Sequence, residues 1–132
     1  MLRKILAIVG GTFIGMITTR VVKSYSVRIH PGPEKQDLLT TEAFEAFVAA
    51  LPDKVFYVII ASHVIGAFMA GLAAAKIASD TKFWIGMIAV FLMFIFSVLT
   101  FLQIPHPTWV MMIDLPSILC GGMIGAALGS RL

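Results

Sequence analysis

Polar residues divide the chain into four long apolar runs, at 2–23, 55–78, 83–104 and 107–131, each long enough to cross a bilayer as a helix. The second run, VFYVIIASHVIGAFMAGLAAAKIA, holds no acidic side chain and no basic one before Lys76. Its twenty-four residues cover about 36 Å as a helix, against a hydrocarbon core of about 30 Å. Bulky Phe56, Tyr57, Ile59 and Ile60 fill its first turns. Gly66, Ala67, Ala70, Gly71, Ala73, Ala74 and Ala75 dominate the later ones. Lipid gives helices no hydrophobic reason to associate, so small residues three and four apart mark where another backbone can come close. Ala67, Gly71 and Ala75 follow that spacing, which predicts the second span as the hub of a bundle.

The other runs carry packing signals of unequal strength. Gly11-xxx-Gly15, with Thr18 and Thr19, gives the first span a face of its own. Its start, Arg3-Lys4 before an apolar core, also fits a signal peptide; no A-x-A cleavage pattern follows, and the segment is read as a retained span. The third run is rich in Phe91, Met93, Phe94, Phe96 and Phe101 and poor in small residues, which predicts the most lipid-exposed helix of the four. Ser79-Asp80-Thr81-Lys82 makes the second and third spans antiparallel neighbours. In the fourth, Gly121, Gly125 and Gly129 form two consecutive GxxxG steps. Trp84 and Trp109 suit the two interfacial belts.

Residues 24–54 form the one long polar stretch. His30-Pro31-Gly32-Pro33 cannot continue a helix. Thr41 can then cap a short amphipathic helix in which Phe44, Phe47, Val48 and Leu51 recur at i, i+3, i+4 and i+7, ending at Pro52. That helix is expected to lie as a lid on the bundle mouth or in the headgroup layer, with docking of a partner as the alternative. The predicted fold is all-α: a polytopic membrane protein, a four-transmembrane-helix bundle with a short amphipathic helix in its first loop, in one membrane domain over 1–132.

Composition narrows the function classes. Of the residues 59% are hydrophobic and 13% charged, against about 25% charged in soluble domains. The net charge of +3 sits mainly at helix ends, where it anchors spans and does not form a nucleic-acid surface. With the N-terminus inside, Arg3, Lys4, Lys76, Lys82 and Arg131 face the cytoplasm and Arg20, Lys23, Arg28, Lys35 and Lys54 lie outside, which is no bias. The usual dominance of the first helix favours that orientation.

Little in the chain suggests bond-making chemistry. Cys120, His63 and Asp114 are of the right types for a hydrolase, but Cys120 lies six residues past Asp114 and is rotated away from it. His30, His63 and His106 lack a metal-ligand spacing, and no phosphate loop or dinucleotide fingerprint is present. No enzyme activity, metal or cofactor is expected. Two classes remain. The first is a structural or interaction subunit that meets itself or another membrane protein through its Gly/Ala faces. The alternative is an oligomeric small-solute or ion transporter or channel using His63 and Asp114, the two ionisable side chains that enter the core.

Those two residues carry the one specific polar expectation. His63 lies eight residues in from Val55 and Asp114 seven in from Pro107, on spans that run in the same direction, so they reach similar depths of roughly 10 to 12 Å. Asp114 continues the line of Ser117, Gly121 and Gly125, and His63 that of Ala67 and Ala70. A carboxylate in hydrocarbon needs a partner, which predicts that the two approach each other, with Arg20 at the same end of the first span. The competing expectation is that Asp114 caps a helix beginning near Pro116 while His63 bonds a backbone carbonyl.

In three segments, His30-Pro31-Gly32-Pro33, Gly66-Ala67-Phe68-Met69-Ala70-Gly71-Leu72-Ala73-Ala74 and Ile104-Pro105-His106-Pro107-Thr108-Trp109, the chain resembles an uncharacterised family of small bacterial four-span integral membrane proteins. The resemblance implies a four-span architecture and a bacterial membrane location, and it implies no catalytic residue.

Overall fold

Apolar rods with small residues on one side pack by bringing those sides together. In a computed structural model, which describes residues 1–29, 41–104 and 106–132, the described chain forms five helices and no strand. They are α1 (Leu2–Ile29), α2 (Thr41–Ala49), α3 (Asp53–Ile77), α4 (Lys82–Gln103) and α5 (Thr108–Arg131). All but α2 are long and apolar enough to cross a membrane, and the protein is an all-α four-helix bundle. The expected break at His30-Pro31-Gly32-Pro33 lies outside the described residues.

α3 is central and packs against α1, α4 and α5. Gly11 and Gly15 bring α1 onto it backbone to backbone: a methyl at Gly11 would lie 2.8 Å from the Ala70 carbonyl oxygen, and one at Gly15 2.7 Å from that of Gly66. On another side Gly121, Gly125 and Gly129 of α5 run along Val64, Phe68 and Leu72 of α3. A methyl at Gly71 would lie 2.6 Å from the Gly122 carbonyl oxygen. α4 closes over both helices, with Gly86 against Gly71 and Ala126, and Val90 against Gly122. Ala67 is fully enclosed. The helix-packing residues are thus met by helices of the same chain.

Two expectations are corrected. The most exposed span is α1, with 22% of its apolar window buried, while the phenylalanine-rich α4 has 39% buried. The reason is that α4 sets Gly86, Ala89, Val90, Met93 and Ser97 inward on one face, while α1 leaves Leu6, Val9, Phe13, Ile17 and Val21 outside. Helix α1 also continues past Lys23 to Ile29. The hydroxyls of Ser24 and Ser26 donate to the carbonyls of Val21 (2.6 Å) and Lys23 (2.7 Å), so the polar residues end the apolar pattern without ending the helix.

The two ends of the bundle differ in chemistry. At the N-terminal end, Lys4 Nζ lies 2.7 Å from Asp80 Oδ1 and Arg3 Nε donates to the Ile77 carbonyl at 2.9 Å, which ties α1 to the α3–α4 turn. Thr81 turns the chain there with φ 44, a left-handed conformation unusual for a β-branched residue, and its hydroxyl donates to Asp80 at 3.0 Å. The Lys4 ammonium beside the exposed Asp80 carboxyl holds it below the ordinary carboxylate range. At the opposite end Val48 of α2 is buried, and Phe44, Phe47 and Leu51 are partly buried against Val55, Phe56, Phe101 and Val110. Thr41, expected as the cap of this lid, is its first helical residue.

Candidate functional site

The only long-range side-chain hydrogen bond within the core, among the described residues, joins α3 to α5: His63 Nδ1 lies 2.7 Å from Asp114 Oδ2. The side chains are 7% and 0% exposed. Asp114 is not a cap. α5 begins at Thr108 and passes through Pro116 without interruption, so the carboxylate projects from a helix interior into the α3 interface. Pro116 withdraws the amide that would bond the Met112 carbonyl, yet neighbouring turns hold the helix, as is common in membrane spans. Ile118, Gly122, Gly125, Ala126 and Gly129 share the buried face with Asp114, while Ser117 and Gly121 sit at its edge, a small rotation from the face the sequence suggested. Asp114 Oδ1 is buried and has no hydrogen-bond partner among the described residues.

One side of the imidazole meets Asp114; another lines a cleft of about 540 Å³ bounded by α1, α3 and α4. That volume is within the range of small-molecule sites. Arg20 and Lys23 of α1 face this cleft, as do the hydroxyl residues Thr19, Ser24, Ser97 and Thr100. Met16, Met93 and Phe96 form its apolar wall. The cleft exists because α1 leans on α3 through Gly11, Gly15 and Gly66 and meets α4 only sparingly, so the gap between α1 and α4 stays open in the half of the bundle away from the N-terminus. The expected proximity of Arg20 takes this form: it shares the cleft with His63 and makes no bond to the buried pair.

An aromatic box connects the pair to the chain's last turn. The His63 ring stands edge-on to Phe101, at 6.3 Å between centroids, and Phe101 meets His106 at 4.9 Å and 86°. His106 Nδ1–H donates to the Ile104 carbonyl at 2.9 Å. Burial pushes the His106 pKa down from 6.5, because the protonated ring would lose water it cannot replace; the bond to Ile104 opposes this. A lowered histidine pKa means the unfolded chain binds more protons. This contribution is therefore complete above 6.5 and is lost as pH falls through that value toward the folded pKa. We expect the melting temperature to drop on acidification through this window, and a His106→Asn variant, which can still donate to Ile104, to lose that part of the pH dependence.

Lys23, Ser97 and Thr100 also line the cleft, and no motif in the sequence marks them. The available signal was local: Arg20 and Lys23 are three apart on one helix face, as are Ser97 and Thr100. Cys120 is exposed on α5, outside this cleft. The described residues contain no cluster of His, Cys, Asp or Glu that could hold a metal ion. Comparison with protein families, with characterised proteins and with solved structures finds no match to this chain.

Proposed function

We propose that this protein is a small-solute carrier of the cell (inner) membrane, with its N-terminus in the cytoplasm and its binding cleft open toward the opposite face, and that proton movement at His63 and Asp114 is coupled to occupancy. The observation that carries the reading is the placement of His63, bonded on one side to a buried carboxylate and lining a solute-sized cleft on the other. In the tautomer that carries its proton on Nδ1, the ring donates to Asp114 and Nε2 is the nitrogen left for an occupant or a proton. The remaining half of the bundle is closed by Ala7, Ala67, Ala70, Ala74 and Ala89, so passage across the membrane requires helices to shift along their small-residue interfaces. The reading as a structural or interaction subunit drew on free Gly/Ala faces, and those faces are filled here by the chain's own helices.

The test uses vesicles carrying an entrapped pH dye and the reconstituted protein, under an imposed pH gradient. Phosphate, glycine, choline and glycerol are supplied one at a time, to cover anionic, zwitterionic, cationic and neutral solutes. At least one is expected to accelerate proton movement, and Thr100→Trp, which fills the cleft, and His63→Gln should return the rate to that of protein-free vesicles. If no solute accelerates proton movement, or if both variants match the wild type, the carrier reading fails.

A further inference from the structure

We infer that the cleft takes an oxyanion, a phosphate or carboxylate group, held between Arg20 and Lys23 above the His63 imidazole; this rests on the reading of the cleft as a solute site. Arg20 and Lys23 are neighbours on one face of α1 and both line the cleft. Neither has a carboxylate partner among the described residues, whereas the one acidic group nearby, Asp114, is already bonded to His63. Two cations on one wall, with the His63-bonded Asp114 as the acidic group acting on Lys23 among the described residues, leave a surplus of positive charge that favours an anion.

The hydrogen-bond pattern points the same way. The hydroxyls of Thr19, Ser24, Ser26 and Thr100 donate to carbonyls of their own helices, at 2.6 to 2.9 Å. The donors left for an occupant are Arg20, Lys23, the Ser97 hydroxyl and, when protonated, His63 Nε2. Guanidinium and ammonium together form strong charge-assisted bonds to the oxygens of a phosphate or carboxylate. An anion that arrives as His63 takes up a proton meets a third charged donor, which is how proton and solute would be linked. The apolar wall of Met16, Met93 and Phe96 leaves room for a body attached to the charged group. Such a group comes either from a water-soluble oxyanion or from the headgroup of an anionic phospholipid entering between α1 and α4.

The experiment uses the full chain in nanodiscs. One arm titrates inorganic phosphate into nanodiscs of phosphatidylcholine, reading the melting temperature and binding heat. The other dopes the discs with phosphatidylglycerol and reads lipid retention by native mass spectrometry. Wild type is expected to bind in at least one arm: phosphate binding assigns a soluble oxyanion, and selective retention of phosphatidylglycerol assigns a lipid headgroup. Arg20→Gln and Lys23→Gln should each weaken that binding about tenfold or more, and Lys82→Gln, at the far end of α4, should not. A wild type that melts cooperatively but binds neither probe overturns the inference, as do Arg20→Gln and Lys23→Gln variants that bind as tightly as wild type. The carrier reading is judged separately. Proton movement driven by choline or glycerol but not by phosphate or glycine, and lost in Thr100→Trp, would keep the carrier while removing the oxyanion.

Discussion

Replacing Gly125 by leucine is expected to prevent α5 from docking on α3. A methyl at this position would already collide with the Phe68 backbone, at its carbonyl oxygen, carbon and Cα, and backbone cannot rotate out of the way as a side-chain tip can. Leucine would push the helices apart along Gly121, Gly125 and Gly129 together, and with them the Asp114 side of the His63 pair. The cost should reach or exceed the upper end of the roughly 1 to 3 kcal/mol typical of overpacking. Gly10→Ala is the matched control, since its nearest neighbour, Ile77 Cδ1, is at 3.8 Å, an ordinary contact. Melting in detergent, with size-exclusion chromatography, should show loss of the folded species for Gly125→Leu and little change for Gly10→Ala. Equal melting of Gly125→Leu and wild type would mean that α5 does not pack on α3 through this glycine.

The second large effect concerns the buried pair. His63→Leu leaves the Asp114 carboxylate without its one partner among the described residues, and Asp114→Leu leaves His63 Nδ1 without its acceptor. Removing one member of a buried hydrogen-bonded pair strands the other away from water, a loss of about 1 to 3 kcal/mol, and more where the stranded group is charged. Replacing both residues removes the stranded group, so the double variant should be more stable than at least the His63→Leu single variant. Chemical denaturation of the four species in the same detergent yields the coupling energy. Additive losses would show that the two side chains do not support each other.

Much of the fold was legible because membrane spans obey simple constraints. A run such as 55–78 has one way to satisfy its backbone in lipid, as a helix, and its Gly/Ala stripe marks its most crowded side. His63 and Asp114 were placed at similar depth by helix rise alone, since α3 and α5 run in the same direction. The exposure of α1 was harder to foresee. Its Gly11 and Gly15 advertise one close contact, but nothing local shows that α3 satisfies it and leaves the rest of α1 facing outward. The cleft was missed for the same reason: its walls are residues of α1 and α4 that come together only because both helices lean on α3. Arg20 and Lys23 read locally as interfacial anchors, and the tertiary arrangement turns them toward His63.

Asp114→Asn separates the structural role of the pair from its part in proton movement. Asparagine keeps the shape of the side chain and can still accept a hydrogen bond from His63 Nδ1, but it carries no negative charge to balance a protonated ring. The decisive measurement is solute-stimulated proton movement by this variant in vesicles, with its melting temperature recorded on the same preparation. The carrier account predicts a folded protein whose proton movement falls to the rate of protein-free vesicles. A folded Asp114→Asn variant that moves protons as fast as wild type would contradict it.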